Sequence, residues 1–166
     1  MQTKKLTALA LYATLSLAVY AAESALPPLV PIPGFKLGLA NIITLILLQR
    51  YTSKDAALVL TVRILLSALL FGQALSLMYS LAGGFLSLLI MCSVNRLLQK
   101  KHLMLTGAMG GLTHNAGQLL LAFAITATPG VLAYLPFLLP AGILTGLFTG
   151  LCARLADRCL PRPHVG

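Results

Sequence analysis

The chain has 166 residues, of which 58% are hydrophobic and only 9% charged, and its mean hydropathy is +0.93. About a quarter of a soluble globular protein is charged, so this composition excludes an ordinary soluble domain and indicates a lipid-embedded protein. Twelve Lys and Arg against three acids give a net charge of +9, but they stand in short clusters between long apolar runs. That pattern is typical of membrane topology signals and not of a nucleic-acid interface.

Six apolar runs follow one another, and Pro or Gly punctuates their junctions. A helix needs about 20 apolar residues to cross a bilayer, so six crossings with short connections account for the length and leave no room for an extramembrane domain. We therefore predict a single all-α integral membrane domain, 1–166, in the form of a six-transmembrane-helix bundle. The predicted spans are residues 6–26, 37–49, 55–72, 74–94, 103–125 and 137–155.

The first span has small residues at every fourth position: Ala10, Thr14, Ala18 and Ala22. Lipid tails are as apolar as Leu, so membrane helices associate through close approach, which such a stripe permits. The neighbour is either a helix of the same bundle or another subunit, and the sequence leaves both open. The span ends close to an acid, Glu23.

The connection after the first span contains four prolines in residues 27–33, which predicts a stiff, extended segment that ends in a turn at Pro33-Gly34. The second span is short, so we expect it to begin inside the membrane. Lys36 falls beside its start, where free N–H groups favour an anion, and Asn41 is expected about one turn inside it. The alternative is a rigid turn with a snorkelling Lys.

In the middle of the chain, several polar residues stand inside the apolar runs. Arg63 stands eight residues beyond Asp55, which is about 12 Å into the membrane if the helix begins there. His114, Asn115 and Gln118 lie at a similar depth in the fifth span. Charges at such depth are costly and usually face the bundle interior or a water-filled cavity.

The sixth span has its own stripe of small residues, Gly142, Gly146 and Gly150. Packing within the bundle is the favoured interpretation, because the last helix must dock against something, and contact with another subunit is the alternative.

The basic residues predict the orientation. With a cytoplasmic N-terminus, the outer connections carry only Lys36, and Arg63 is the single basic residue deep inside a span, so the positive-inside rule places both termini in the cytoplasm. The remaining basic residues all fall on the inner side: Lys4, Lys5, Arg50, Lys54, Arg96, Lys100, Lys101, Arg154, Arg158 and Arg162.

The polar residues of the outer half form a predicted small-molecule site. Two cations face one acid there, so the surplus positive charge favours an anionic ligand, bound by Arg63 and Lys36 while Glu23 orients Arg63. The alternative is a purely structural network. A metal centre is not expected, since the region offers one His, no Cys and one acid. The candidate substrate-binding residues are Glu23, Lys36, Asn41, Arg63, His114, Asn115 and Gln118.

Several sequence blocks resemble those of a known protein family. They are Glu23-Ser24, the block PIPGFKLGLAN at 31–41, Arg63 with LLFG at 69–72, YSLAGG at 79–84, and His114-Asn115 with Gly117-Gln118. Over nearly the whole chain they resemble the Gx transporter family, also labelled heptaprenyl diphosphate synthase component I.

This resemblance implies a relation to the S components of energy-coupling factor (ECF) vitamin transporters of the bacterial cytoplasmic membrane. Those are six-helix bundles with an outward pocket, whose first-helix stripe contacts a transmembrane coupling subunit that works with ATPase subunits. The resemblance also implies a vitamin-like, flavin-type or quinone-type ligand.

The expected function is therefore that of a substrate-binding membrane subunit of an uptake transporter, without cofactor. Catalysis is not expected, because prenyl diphosphate synthases hold magnesium and diphosphate with paired aspartate-rich motifs, whereas Asp55 and Asp157 are isolated. The sequence also lacks a P-loop. The alternative is a membrane-embedded accessory subunit of an isoprenoid, quinone or flavin-dependent electron-transfer system.

Overall fold

The computed structural model describes residues 2–25, 36–71 and 74–160, and the proline segment with its predicted turn at Pro33-Gly34 lies outside them. The described residues are almost entirely helical, which confirms the all-α prediction, and each predicted run contains one helix. The elements are α1 (Gln2–Ser24), α2 (Asn41–Arg50), α3 (Ser53–Phe71), α4 (Ala74–Leu97), α5 (Leu103–Thr126), a 3₁₀-helix (Pro129–Tyr134) and α6 (Leu135–Cys159).

Contacts between helix ends gather most of the charges at one end of the bundle. Lys5 at the start of α1 pairs with Asp55 at the start of α3 (2.8 Å), and Arg50 at the end of α2 pairs with Asp157 near the end of α6 (3.4 Å). The α4–α5 turn lies at the same end of the bundle, because Lys100 Nζ donates to the main-chain oxygen of Gln49 on α2 (3.0 Å). We call this region the charged end. It follows that successive helices run in alternating directions.

Helix α2 is the centre of the bundle. It has only ten residues, about 15 Å of helix, and it contacts all five other α-helices. Almost every side chain is therefore apolar and enclosed, and no face is left for solvent. Its buried residues are Asn41, Ile43, Thr44, Leu45, Ile46, Leu47 and Leu48.

The start of α2 differs from the expectation. Asn41 is its first residue and does not lie a turn inside. The helix cannot begin earlier, because Gly38 adopts φ +80°, a left-handed conformation that only glycine takes without strain. A Cβ at this position would also lie 2.6 Å from the ring of His114. Residues 36–38 before α2 therefore belong to no helix or strand.

Helices α5 and α6 pack with their backbones in contact. A Cβ added to Gly111 would lie 2.1 Å from the carbonyl oxygen of Gly142, and one added to Gly107 would lie 2.3 Å from that of Gly146. Only glycine permits this distance, because any side chain would overlap the opposing carbonyl. The glycine stripe of α6 therefore packs inside the bundle, as the favoured interpretation held.

Helix α1 shows the opposite arrangement. Its four-residue stripe lies on the outside of the described chain, and the face toward the bundle is a different one. The exposed residues are Ala10, Thr14, Ala18 and Ala22, and the buried ones are Leu9, Ala13, Ser16, Tyr20 and Glu23. Within the described residues, the stripe is thus not an internal packing surface.

Three helical segments are long and apolar enough to cross a membrane by length and composition: Thr3–Ser24, Ala74–Leu97 and Pro129–Cys159. Large apolar side chains also cover the outside of the other long helices, including Leu69 (80% exposed) on α3 and Leu120 (60% exposed) on α5. Surfaces of this kind are suited to lipid and not to water.

Candidate ligand-binding site

The ring of Tyr20 lies close to both cations of the predicted site. Lys36 Nζ is 3.3 Å from the ring centroid and Arg63 Cζ is 5.6 Å from it, distances at which a cation is attracted to the aromatic face. The Tyr20 hydroxyl shares a hydrogen bond with Ser76 Oγ (2.7 Å). Sequence reasoning missed Tyr20, although it stands one helical turn before Glu23 on the same face of α1.

Arg63 is enclosed without a conventional partner. It is 3% exposed, and within the described ranges it makes no hydrogen bond and no ion pair shorter than 4.0 Å. Its Nε is buried with no acceptor. A guanidinium carries five N–H donors, and a buried cation without acceptors is costly. Arg63 is therefore suited to an acceptor that the described residues do not supply.

Glu23 does not pair with Arg63, contrary to the expectation. Its two carboxylate oxygens accept the backbone N–H groups of Gly38 (2.8 Å) and Leu39 (3.0 Å). These N–H groups precede α2 and have no carbonyl partner within the helix, so the carboxylate serves as their acceptor. Lys36 Nζ donates instead to Ser24 Oγ. The acid thus fixes the backbone, and it forms no ion pair shorter than 4.0 Å with either cation.

Two polar residues of α5 reach the same segment. Gln118 Oε1 accepts the backbone N–H of Lys36 (3.3 Å), and Gln118 Nε2 lies 3.1 Å from His114 Nε2. The His114 ring packs beneath Gly38, where no Cβ intervenes. Together with Glu23, these side chains hold residues 36–39 in place beside the Tyr20 ring.

The two asparagines bridge helices, and Asn41 does so beside Gly38, where an added Cβ would lie 3.0 Å from its Nδ2. Asn115 Nδ2 donates to the carbonyl oxygen of Leu138 on α6 (2.8 Å), because the residue after His114 points to a different side of α5. Asn41 Nδ2 is 3.4 Å from Ser87 Oγ on α4. Both therefore bridge helices, the structural role that the sequence left open, although Asn115 Oδ1 is buried without a donor.

The side chains of the candidate site are chemically suited to binding. Two cations, one aromatic ring and one His–Gln pair can hold an anion and neutral polar groups. No three His, Cys, Asp or Glu side chains in the described ranges come together as a metal site would require. Cys92, Cys152 and Cys159 are free thiols.

The comparison with protein families identifies the chain. The family model described as heptaprenyl diphosphate synthase component I matches residues 12–156, and the chain belongs to that family, as the resemblance implied. The match includes all seven candidate site residues. No curated protein and no solved structure matches the chain.

Proposed function

We propose that the protein is the substrate-binding membrane subunit of an uptake transporter for a small anionic organic molecule, held between Arg63, Lys36 and Tyr20. In this proposal the chain crosses the membrane six times as an S-component-like bundle, with α2 covering about half of the second crossing and both termini in the cytoplasm of a bacterium. The three apolar segments and the apolar outer surface support the membrane setting.

The orientation follows from the charged end. Its Lys and Arg side chains belong on the cytoplasmic side by the positive-inside rule. Tyr20 and Glu23 stand at the other end of α1, about 25 to 30 Å away along the helix. The binding site then belongs to the outer half of the bundle, where a compound from outside the cell would enter.

The proposal rests on the buried guanidinium of Arg63, which has no hydrogen-bond acceptor among the described residues. A carboxylate or phosphate accepts two parallel hydrogen bonds from such a group, and Lys36 supplies a second positive charge. The Tyr20 ring offers an apolar face, and the pair His114 and Gln118 suits neutral polar atoms. An anionic vitamin-like compound or a flavin or quinone precursor combines these features.

Partners would supply the energy. The exposed small-residue stripe of α1 is suited to a close helix from a transmembrane coupling subunit, and that subunit would bring ATPase subunits. The stripe is available for this contact because the bundle itself packs on the opposite face of α1.

The test combines native mass spectrometry with thermal unfolding of the purified protein. A small anionic compound should be retained by the parent and lost from Arg63→Gln, whose affinity should fall by about 1.5 to 3 kcal/mol, roughly tenfold to a hundredfold. Arg154→Gln removes an exposed charge and should retain the compound.

The same measurement distinguishes binding from structure. Without ligand, Arg63→Gln should be as stable as the parent or more stable, because a buried unpaired charge has been removed. A strongly destabilised empty variant would make Arg63 a structural residue and refute the proposal.

The family description favours a second candidate, a non-catalytic accessory subunit of a prenyl diphosphate synthase. Catalysis by this chain lacks support, since Asp55 and Asp157 are paired with Lys5 and Arg50 and are not clustered for magnesium. Copurification discriminates the two: ATPase subunits support transport, whereas a prenyltransferase or redox enzyme supports the accessory role.

A further inference from the structure

The charged end contains a cleft of about 510 Å³ between the start of α3, the end of α4 and the α4–α5 turn. Three cations line it, Lys54, Arg96 and Lys100, and no acid does. Its apolar part includes Leu48 and Cys92. This cleft lies at the opposite end of the bundle from Tyr20, so it is separate from the site proposed above.

The residues that the structure describes do not neutralise the positive charge of the cleft. Lys54 and Arg96 are exposed and make no ion pair or side-chain hydrogen bond with any residue that the structure describes. The nearby acid Asp55 is already engaged, because it pairs with Lys5 (2.8 Å) and accepts hydrogen bonds from Thr52 (3.1 and 2.7 Å). The cleft therefore attracts anions.

Backbone donors add to this attraction. Helix α3 begins at the cleft, and Thr52 Oγ1 accepts the N–H of Asp55 (3.2 Å). The N–H groups of Ser53 and Lys54 have no acceptor among the described residues. Free N–H groups and the helix dipole together favour an anion at such a position.

A buried amide gives independent support. Asn95 is 3% exposed and lines the cleft, and its Oδ1 has no donor. Its Nδ2 makes one long contact, 3.4 Å to the carbonyl oxygen of Leu48. Buried polar side chains are normally satisfied, so this amide oxygen is suited to a ligand that brings a donor, such as the hydroxyl of a protonated phosphate monoester or of its organic group.

We propose that this cleft binds a phosphate ester group. A carboxylate has two oxygens and one charge, whereas a phosphate ester has more oxygens to share among the Arg96 fork, two lysines and the α3 backbone. The volume exceeds that of a bare anion, and the apolar lining accepts the organic part of an ester. Two sources share this chemistry, a phospholipid headgroup and a soluble phosphate ester.

Native mass spectrometry of the full chain in detergent tests the proposal with four probes. These are short-chain phosphatidic acid, the matched diacylglycerol, glycerol 3-phosphate and inorganic phosphate. Phosphatidic acid should bind roughly tenfold or more tightly than diacylglycerol, which lacks the phosphate. A preference for phosphatidic acid over glycerol 3-phosphate assigns the site to lipid, and equal binding of the two assigns it to soluble esters. Equal binding of phosphatidic acid and diacylglycerol overturns the proposal.

Matched variants distinguish a defined binding site from nonspecific electrostatic attraction of anions to the charged end. Arg96→Gln and Lys54→Gln should each weaken phosphatidic acid binding roughly tenfold, about the loss of one charged hydrogen bond. Lys101→Gln removes the same charge from the nearby α4–α5 turn, and Lys101 does not line the cleft, so this variant should change binding less than about twofold. Equal losses in all three would refute the proposal. All three side chains are exposed, and unchanged unfolding temperatures check that folding is preserved.

Discussion

Two stripes with the same four-residue spacing have opposite positions in the molecule. The glycine stripe of α6 is buried against α5, whereas the Ala and Thr stripe of α1 is exposed. The chemical difference is that Gly107 and Gly111 on α5 face Gly142 and Gly146 on α6, so both helices lack Cβ atoms where they meet. Spacing therefore identifies a helix face suited to close packing, and matching glycines on a second helix identify the neighbour.

The largest expected effect is that of Gly146→Ala on stability. The new Cβ would lie 2.3 Å from the carbonyl oxygen of Gly107, so α5 and α6 must separate at a cost of about 1 to 3 kcal/mol. Thermal unfolding in detergent measures this loss. The control is Leu144→Ala, which shortens a 67% exposed side chain on the same helix and should have little effect. A Gly146→Ala protein as stable as its parent would contradict backbone contact.

A smaller effect is expected for Gly84→Ala on α4. Its Cβ would meet Leu60 Cδ1 at 3.3 Å, and the end of a flexible side chain can move. Alanine also raises helix propensity by about 1 kcal/mol relative to glycine, so stability should change by less than about 1 kcal/mol. A loss comparable with that of Gly146→Ala would show that glycines matter here wherever they are buried and not only where two backbones meet.

The smallest effect on the isolated chain is expected for Ala18→Leu. The side chain is exposed, so the unfolding free energy should change by no more than about 0.5 kcal/mol. Copurification of the proposed coupling subunit should nevertheless be lost, because bulk prevents close helix approach. Ala124→Leu adds the same bulk to an exposed position on α5 and should keep the partner.

Two results would change this interpretation of α1. If Ala18→Leu destabilised the isolated chain, the stripe would be an internal surface. If Ala18→Leu kept its partner, the contact would lie on another face.

The sequence predicted the helices and the burial of Arg63 well, for a physical reason. Apolar runs, Pro and Gly mark helices directly, and a cation within such a run has few places to lie except the bundle interior. The sequence also predicted a short second helix, because Gln49 and Arg50 end its apolar run early.

The contacts of the candidate site could not be predicted in the same way. Glu23 accepts two backbone N–H groups, and these are free because they precede α2. The sequence counts the charges near Arg63 but does not reveal which backbone donors compete for the acid. Tyr20 was missed because a hydropathy pattern treats an aromatic ring as an apolar residue. It does not show that this ring attracts two cations.

The short central helix has a consequence for how the protein is made. Helix α2 covers about half of a hydrocarbon core of about 30 Å, and the non-helical chain before it has N–H groups bonded to Glu23 and Gln118. In the proposed membrane, this segment cannot leave the translocon alone, because lipid offers no acceptor for those groups. Glu23 has already been synthesised when α2 emerges, but Gln118 is synthesised about seventy residues later. Helix α2 therefore has to stay shielded, beside α1 and the insertion machinery, until α5 has been translated.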